Sequence, residues 1–359
     1  MTEHDRPADA GDEAVPEAGE PRRRRWPRRL AIASGLVLIL VAGLTAVVLE
    51  RQSAYNSNIE RLTGVFPTNK DRPAKSGTDA ENWLLVGSDR RATSGTTGDN
   101  ATQRLWRPGA QRADTIMLVH VPADKKKVQL ISFPRDSYVD IPGRGKNKIN
   151  AAFSFGGPPL LIQTIEKLTK SRVDHFAVLD FNGFAQMTDA VGGVDVKVAK
   201  TVRDPKSGIV WQAGTNHLDG KKALAFVRQR HGLSGGDFSR IERQQAFLRA
   251  LAAKVASAGT LTNPLKLNSL LEALTSSVSV DGEVTAGTLR NMAIGLRGVR
   301  PGDITFLTVP TRGTGMVGGQ SMVFLDARNS AELFQALRSD DVASFLKRGG
   351  KDNDVRTVS

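Results

Sequence analysis

The sequence predicts an α/β fold, in which a central mixed sheet is flanked by helices on both faces and preceded by one transmembrane helix. Three observations predict it. A charge-free apolar run extends from Leu30 to Leu49. Short strand signals alternate with helical ones from Asn82 to Leu337, the pattern of helices covering one sheet. A hydrophobic content of 40% in 359 residues is enough to build a packed core.

The apolar run comes first in the chain. Twenty helical residues rising about 1.5 Å each cover the roughly 30 Å hydrocarbon layer. Arg22 to Arg25, Arg28 and Arg29 precede the run, whereas Glu50 and Arg51 follow it, so the positive-inside rule puts residues 1–29 in the cytoplasm as a solvated tail. A cleaved signal peptide is the alternative, but the run exceeds the usual core of roughly 7–15 residues and no small-x-small site follows it. The expected organisation is therefore a tail (1–29), a span (30–49), a stalk (50–81), an extracellular domain (82–346) and a disordered end (347–359).

Net charge is +13, and the tail is balanced, so 43 basic residues face 29 acidic ones from position 51 onward. A basic field outside a cell attracts lipid head groups, phosphates and anionic wall polymers, or merely keeps the domain soluble, whereas a nucleic acid would lie on the wrong side of the membrane. There is no cysteine, which excludes disulfides and thiolate metal sites.

Within the domain, strand signals fall at Trp83 to Val86, Thr115 to Val121 and Val128 to Phe133, the last two joined as a hairpin by Pro122-Ala123-Asp124. A helix is expected at Pro159 to Leu168, a strand at Phe176 to Leu179, a helix at Phe181 to Ala190 and a strand at Val194 to Val198. Helices follow at Lys221 to Val227, Ser239 to Ala256, Pro264 to Leu274 and Thr285 to Arg297. Strands at Ile304 to Val309 and Met322 to Leu325 precede a last helix at Ala331 to Leu337. The polar segment Arg90 to Arg112 reads as a loop.

Several side chains at these element ends carry possible chemistry. Asp89 follows the first strand and Asp114 opens the second; two carboxylates at neighbouring strand ends suit Mg²⁺, or else each caps a turn. Arg135 follows Pro134, which restricts the backbone on both sides, so its guanidinium is either a rigid fork for phosphate oxygens or an ordinary surface ion pair. Arg228 and Arg230 would diverge on a continuous helix and converge only where the helix ends, which His231-Gly232 permits. The next helix opens with Ser239 and Glu242 at capping-box spacing. Its face through Arg240, Gln244, Phe247 and Leu251 turns from polar to apolar, as a ligand with a charged head and hydrocarbon tail requires, or as a surface helix with solvated ends would also show. Asp237 reads as a cap, an ion-pair partner or an acid/base residue. His175, His217 and His231 have no metal-ligand spacing, and no Walker loop, dinucleotide fingerprint or serine elbow is present.

The motifs GSDRR, RADT, FPRDSYVDIPG, KINAAFSFGGP, VDHFAVLDFNGF, VGGVDV, LDGKKALAFVRQR and DFSRIERQQAFL occur in order between Asn82 and Leu251. Together they resemble the LytR-CpsA-Psr family of bacterial cell-envelope proteins. The resemblance implies a membrane-anchored enzyme that moves a glycopolymer from an undecaprenyl-pyrophosphate carrier to peptidoglycan with Mg²⁺ (or Mn²⁺), around an apolar tunnel for the polyprenyl chain. Carried over residue by residue, Asp89 and Asp114 correspond to metal-binding carboxylates. Arg91, Arg112, Arg135, Arg228, Arg230, Arg240 and Gln244 correspond to pyrophosphate contacts, with Arg135 and Asp237 as catalytic residues. The loop between Asp89 and Asp114 is longer than the family's usual one. Hydrolysis of the same lipid pyrophosphate and a membrane-bound regulator, a transcription attenuator, are the competing readings.

Overall fold

The computed structural model describes residues 60–69, 72–88, 113–179, 181–257, 278–350 and 357–358. The expected span, the tail, the helix at 264–274 and the side chains of Asp89, Arg91 and Arg112 lie outside the described residues. Among the described residues no helix is long and apolar enough to cross a membrane.

The strands, in chain order, are β1 (Arg61–Leu62), β2 (Glu81–Ser88), β3 (Ala113–Val121), β4 (Val128–Ser132), β5 (Tyr138–Ile141), β6 (Gly145–Lys148), β7 (His175–Leu179), β8 (Val194–Val198), β9 (Val202–Arg203), β10 (Val210–Trp211), β11 (Gly214–Leu218), β12 (Val278–Asp281), β13 (Ile304–Thr308), β14 (Thr311–Val317) and β15 (Gln320–Leu325). The helices are α1 (Ile149–Thr169), α2 (Phe181–Ala190), α3 (Gly220–Arg228), α4 (Asp237–Ser257), α5 (Ala286–Gly295), α6 (Ala327–Arg338) and α7 (Val342–Lys347).

Seven strands form one sheet in the order β1-β12-β7-β2-β3-β4-β13. It is mixed: β7 pairs parallel to β2 and β13 parallel to β4, while β2, β3 and β4 run antiparallel to one another. Strand β4 is buried at every position, as a strand covered on both faces must be. Side-chain alternation along β3 divides the interior. Ile116 and Leu118 join a core with Phe153, Ile162 and Ile165 of α1 and with α6 and α7, whereas Met117 and Val119 face α3 and α4 through Phe226 and Phe247.

Helix α1 is longer than the sequence suggested because it joins two helical pieces across Gly156 and Gly157. Gly157 has φ 62 and ψ −155, a conformation that needs glycine, and Pro158 and Pro159 then open the second piece, where proline's missing N–H costs nothing. The second correction concerns α4. Ser239 is not its cap: the helix begins at Asp237, and the Ser239 hydroxyl accepts instead from the Gly235 amide at 3.2 Å.

Two ends expected to stand apart from the domain pack on it where they are described. In the expected stalk, β1 extends the sheet beside β12, Leu62 and Val65 are buried, and Arg72 pairs with buried Glu166 at 2.6 Å. In the expected disordered end, Val358 is buried and its amide donates to the Lys197 carbonyl of β8 at 3.1 Å. The hairpin β5–β6 and the strands β9 to β12 and β14 were not foreseen; all but β14 have five residues or fewer, and β14 (TRGTGMV) is polar and glycine-containing.

Candidate functional site

The carboxyl ends of β2 and β4, the amino end of β3 and the start of α4 bring charged side chains together. Arg135 sits just beyond β4, and its backbone is pinned from α1: the Asn150 amide donates to the Arg135 carbonyl at 3.1 Å and the Ile149 amide to the Ser137 carbonyl at 2.8 Å. Its side chain donates to Asp114, at the start of β3, and its Nε lies 3.6 Å from Asp237 and 3.8 Å from Asp136. Burial alone would lower the Arg135 pKa, but the charges of Asp237, Asp114 and Asp136 outweigh it and hold the guanidinium above its ordinary value.

Arg240, on the first turn of α4, is 4% exposed and donates to Asp237 Oδ2 at 3.0 Å. Burial pushes its pKa down to about 10, and the nearby cations Arg135 and Arg230 act in the same direction against the pull of Asp237 and Asp114. It remains a cation at neutral pH, held among other cations. Among the described residues, Arg135 Nε, Arg240 Nε and Asp237 Oδ1 are buried without a hydrogen bond. Unsatisfied N–H groups on clustered guanidinium groups favour an anionic partner.

Arg228 and Arg230 converge as the sequence required. Helix α3 starts at a cap in which the Asp219 side chain accepts from the Lys222 amide at 2.7 Å, and it ends at Arg228. Gln229 is then extended, with φ −63 and ψ 133. Side chains alternate in an extended segment, so Gln229 turns inward and both arginines turn to one exposed side. The Arg228 guanidinium lies 3.9 Å from the centre of the Phe181 ring.

These groups border one cavity of about 690 Å³ between the sheet and helices α2 to α5, within the size range of ligand pockets. Asp114, Arg135, Arg228, Arg230, Arg240 and Gln244 are on its wall, and Asp237 stands behind Arg135 and Arg240. The rest of the wall is largely apolar: Trp83 and Leu85 of β2, Phe184 of α2, Phe247 and Leu251 of α4, and Leu289 of α5. The face of α4 thus passes from Arg240 and Gln244 to Phe247, Leu248 and Leu251 along a single cavity. Sequence reading had not assigned Phe181, Lys206 or Lys221 to this wall; Phe181 had been visible only as the start of a short helix.

The chemistry of the donor set suits a hard cation only in part. Asp114 faces the cavity, and Ser88, paired with Ala113, brings the end of β2 beside it. Among the described residues no three or more His, Asp and Glu side chains gather in a way that could hold a metal ion. Such a site fits Mg²⁺ that borrows phosphate oxygens and water, not an all-protein cage.

The fold is mixed α/β, with a cluster of arginines opening onto a largely apolar cavity. The LytR_cpsA_psr family matches residues 47–339, and the chain belongs to that family. It is 36% identical over 310 residues to the probable cell wall biosynthesis protein LcpB of Corynebacterium glutamicum, covering 86% of this chain and 69% of the relative. It is 32% identical over 270 residues to the polyisoprenyl-teichoic acid–peptidoglycan teichoic acid transferase TagU of Oceanobacillus iheyensis, covering 72% and 78%. Among solved structures, B. subtilis TagV superposes with a TM-score of 0.60 at 26% identity, over 74% of this chain and 97% of that one.

Proposed function

We propose that this chain is a phosphotransferase that moves a glycopolymer from an undecaprenyl-pyrophosphate carrier to a hydroxyl of peptidoglycan. It forms a phosphodiester bond and releases polyprenyl phosphate, acting on the outer face of a membrane that residues 30–49 cross once. The observation that carries this reading is the single cavity bordered by Arg135, Arg228, Arg230 and Arg240 and continued by an apolar wall. A pyrophosphate diester with a polyprenyl tail has that same division of charge and grease. The name of the TagU relative, a polyisoprenyl-linked donor and a peptidoglycan acceptor, supports it independently.

In this reading the arginines and Gln244 hold the two phosphates. The acceptor hydroxyl attacks the phosphorus nearer the sugar, its proton passes to Asp237, and the bond to the lipid phosphate breaks. Charge builds on the leaving oxygen, where prepositioned guanidinium groups stabilise it; removal of one such donor typically costs about 10²–10³ in rate. What supports Asp237 in this role is its nearness to the polar end of the cavity, where its carboxylate pairs with Arg135 and Arg240. Asp114, with Asp89, would hold a Mg²⁺ or Mn²⁺ ion, which neutralises phosphate charge when bound.

The test is to incubate the full chain in detergent with a labelled lipid-linked glycopolymer and peptidoglycan. Label on peptidoglycan with release of polyprenyl phosphate is the expected result. Label released into solution in the presence of acceptor would make the protein a lipid-pyrophosphate hydrolase, and label remaining on the lipid would overturn the reading.

A further inference from the structure

We infer that Gln229 is a positioning residue that sets Arg228 and Arg230 as a matched pair for a pyrophosphate, acting through a buried three-way clamp with Trp211 and Arg243. The inference rests on the head-group reading above. Trp211 and Arg243 are 2% and 0% exposed and stand off the cavity wall, while Gln229, which borders it, is 3% exposed and has its side-chain polar atoms engaged in the clamp.

The clamp uses every polar atom of the Gln229 side chain. Oε1 accepts from Trp211 Nε1 at 2.7 Å and from Arg243 Nη1 at 2.9 Å, while Nε2 donates to the His231 carbonyl at 3.1 Å. The three partners come from β10, from α4 and from the loop just beyond Arg230. One side chain thus holds the backbone just beyond the arginine pair, at His231, and ties it to β10 and α4. Only an amide satisfies this set: a carboxylate has no N–H for the His231 carbonyl, and an aliphatic side chain would take the acceptor from a buried indole N–H and from Arg243 Nη1.

The direction of the arginines is tied to the clamp. With Gln229 held inward just past the end of α3, Arg228 and Arg230 both lie on the exposed side. Arg243 is itself held by stacking at 4.4 Å on the Phe226 ring, one helix layer behind the pair. A buried cation is a costly component for a core, and here its Nη1 is directed at the one residue that separates two candidate ligand-binding cations. The same clamp secures the hairpin of β9 and β10, whose connecting loop contributes Lys206 and Ser207 to the cavity wall. Gly232 continues the contact: with φ +78 it lies against this hairpin, and a Cβ there would be 3.1 Å from the Arg203 carbonyl.

The experiment measures binding of geranyl pyrophosphate to the full chain in detergent by calorimetry, in two backgrounds. Gln229→Leu in the wild-type background should weaken binding about tenfold, while in the Arg228→Ala/Arg230→Ala background it should change binding less than about twofold, because the residues it positions are gone. Trp211→Phe, which removes one N–H and keeps an aromatic ring, should weaken binding in the same background-dependent way, and it serves if the leucine variant does not fold. Equal losses in both backgrounds would make the clamp merely structural and overturn the inference. So would unchanged binding in both variants. A wild-type chain that fails to bind the probe would instead overturn the head-group reading, and the inference with it.

Discussion

Arg240 and Asp237, one turn apart at the start of α4, form an ion pair in which Nη2 donates to Oδ2 at 3.0 Å while Oδ1, 2.9 Å from the same nitrogen, makes no hydrogen bond. The pair therefore leaves each partner with unused capacity. In the proposed reaction, phosphate oxygens would take remaining donors of Arg240 while Asp237 would accept the proton.

Asp237→Asn keeps the shape of this pair and removes the base. Turnover should fall by about 10²–10⁴ while donor affinity changes less than about twofold, since the arginines stay in place. The charge of Asp237 also opposes the effect of burial on Arg240, so the Arg240 pKa should drop further below about 10 in the variant. Comparing single-turnover rates with calorimetric binding checks both; equal losses in rate and affinity would remove Asp237 from the chemical step.

Arg135 faces Asp114, Asp136 and Asp237 together, which makes its two obvious replacements behave differently. Arg135→Lys keeps the charge and loses the planar fork, so kcat/KM should fall by about 10–100-fold with little change in melting temperature. Arg135→Ala leaves those carboxylates without their shared cation and should also cost about 1–3 kcal/mol of stability. Thermal unfolding of both variants separates the electrostatic role from the geometric one.

What the sequence disclosed about this site follows the range of each interaction. The polar-to-apolar face of α4 was legible because helical spacing alone puts Arg240, Gln244, Phe247 and Leu251 in one row. The convergence of Arg228 and Arg230 was legible too, because His231-Gly232 marks the end of a helix. By contrast, the pairing of Arg135 with Asp114 spans 21 residues and depends on the turn out of β4, and the hydrogen bond from Trp211 to Gln229 starts from a strand of two residues that no periodicity announces. The Ser239–Glu242 spacing misled for a related reason: it matches a capping box, yet the helix starts two residues earlier because Gly235 takes the serine hydroxyl.

Stability should depend on pH through His175. Its burial lowers the pKa, but the hydrogen bond and charge of Asp281, with Glu81 and Asp174, raise it above the ordinary histidine value. A raised folded-state value means that the stabilisation is complete below the unfolded pKa of about 6.5 and is lost as pH climbs through the folded one. Melting temperature should therefore decline by about 1–3 °C across that window in the wild type. His175→Phe preserves a ring against Trp83, 4.2 Å away, and leaves Asp281 its hydrogen bond from the Phe176 amide at 2.9 Å, so its profile should be flat there. A parallel decline in the variant would assign the effect to other groups.

The apolar part of the cavity should read the length of the lipid. Leu251 lies two turns beyond Gln244 on the same wall, so a tail long enough to pass Phe247 must meet it. Leu251→Trp adds bulk at that depth while leaving every charged group at the head untouched. Binding of a short isoprenoid pyrophosphate should be unchanged, whereas the long-chain donor should bind about 10-fold more weakly, because the inserted ring forces either strain in the packed wall or exclusion of several buried methylenes, each worth about 0.8 kcal/mol. Titrating the variant with donors of increasing chain length locates the depth at which the penalty begins. A penalty independent of chain length would mean that the tail does not run along α4.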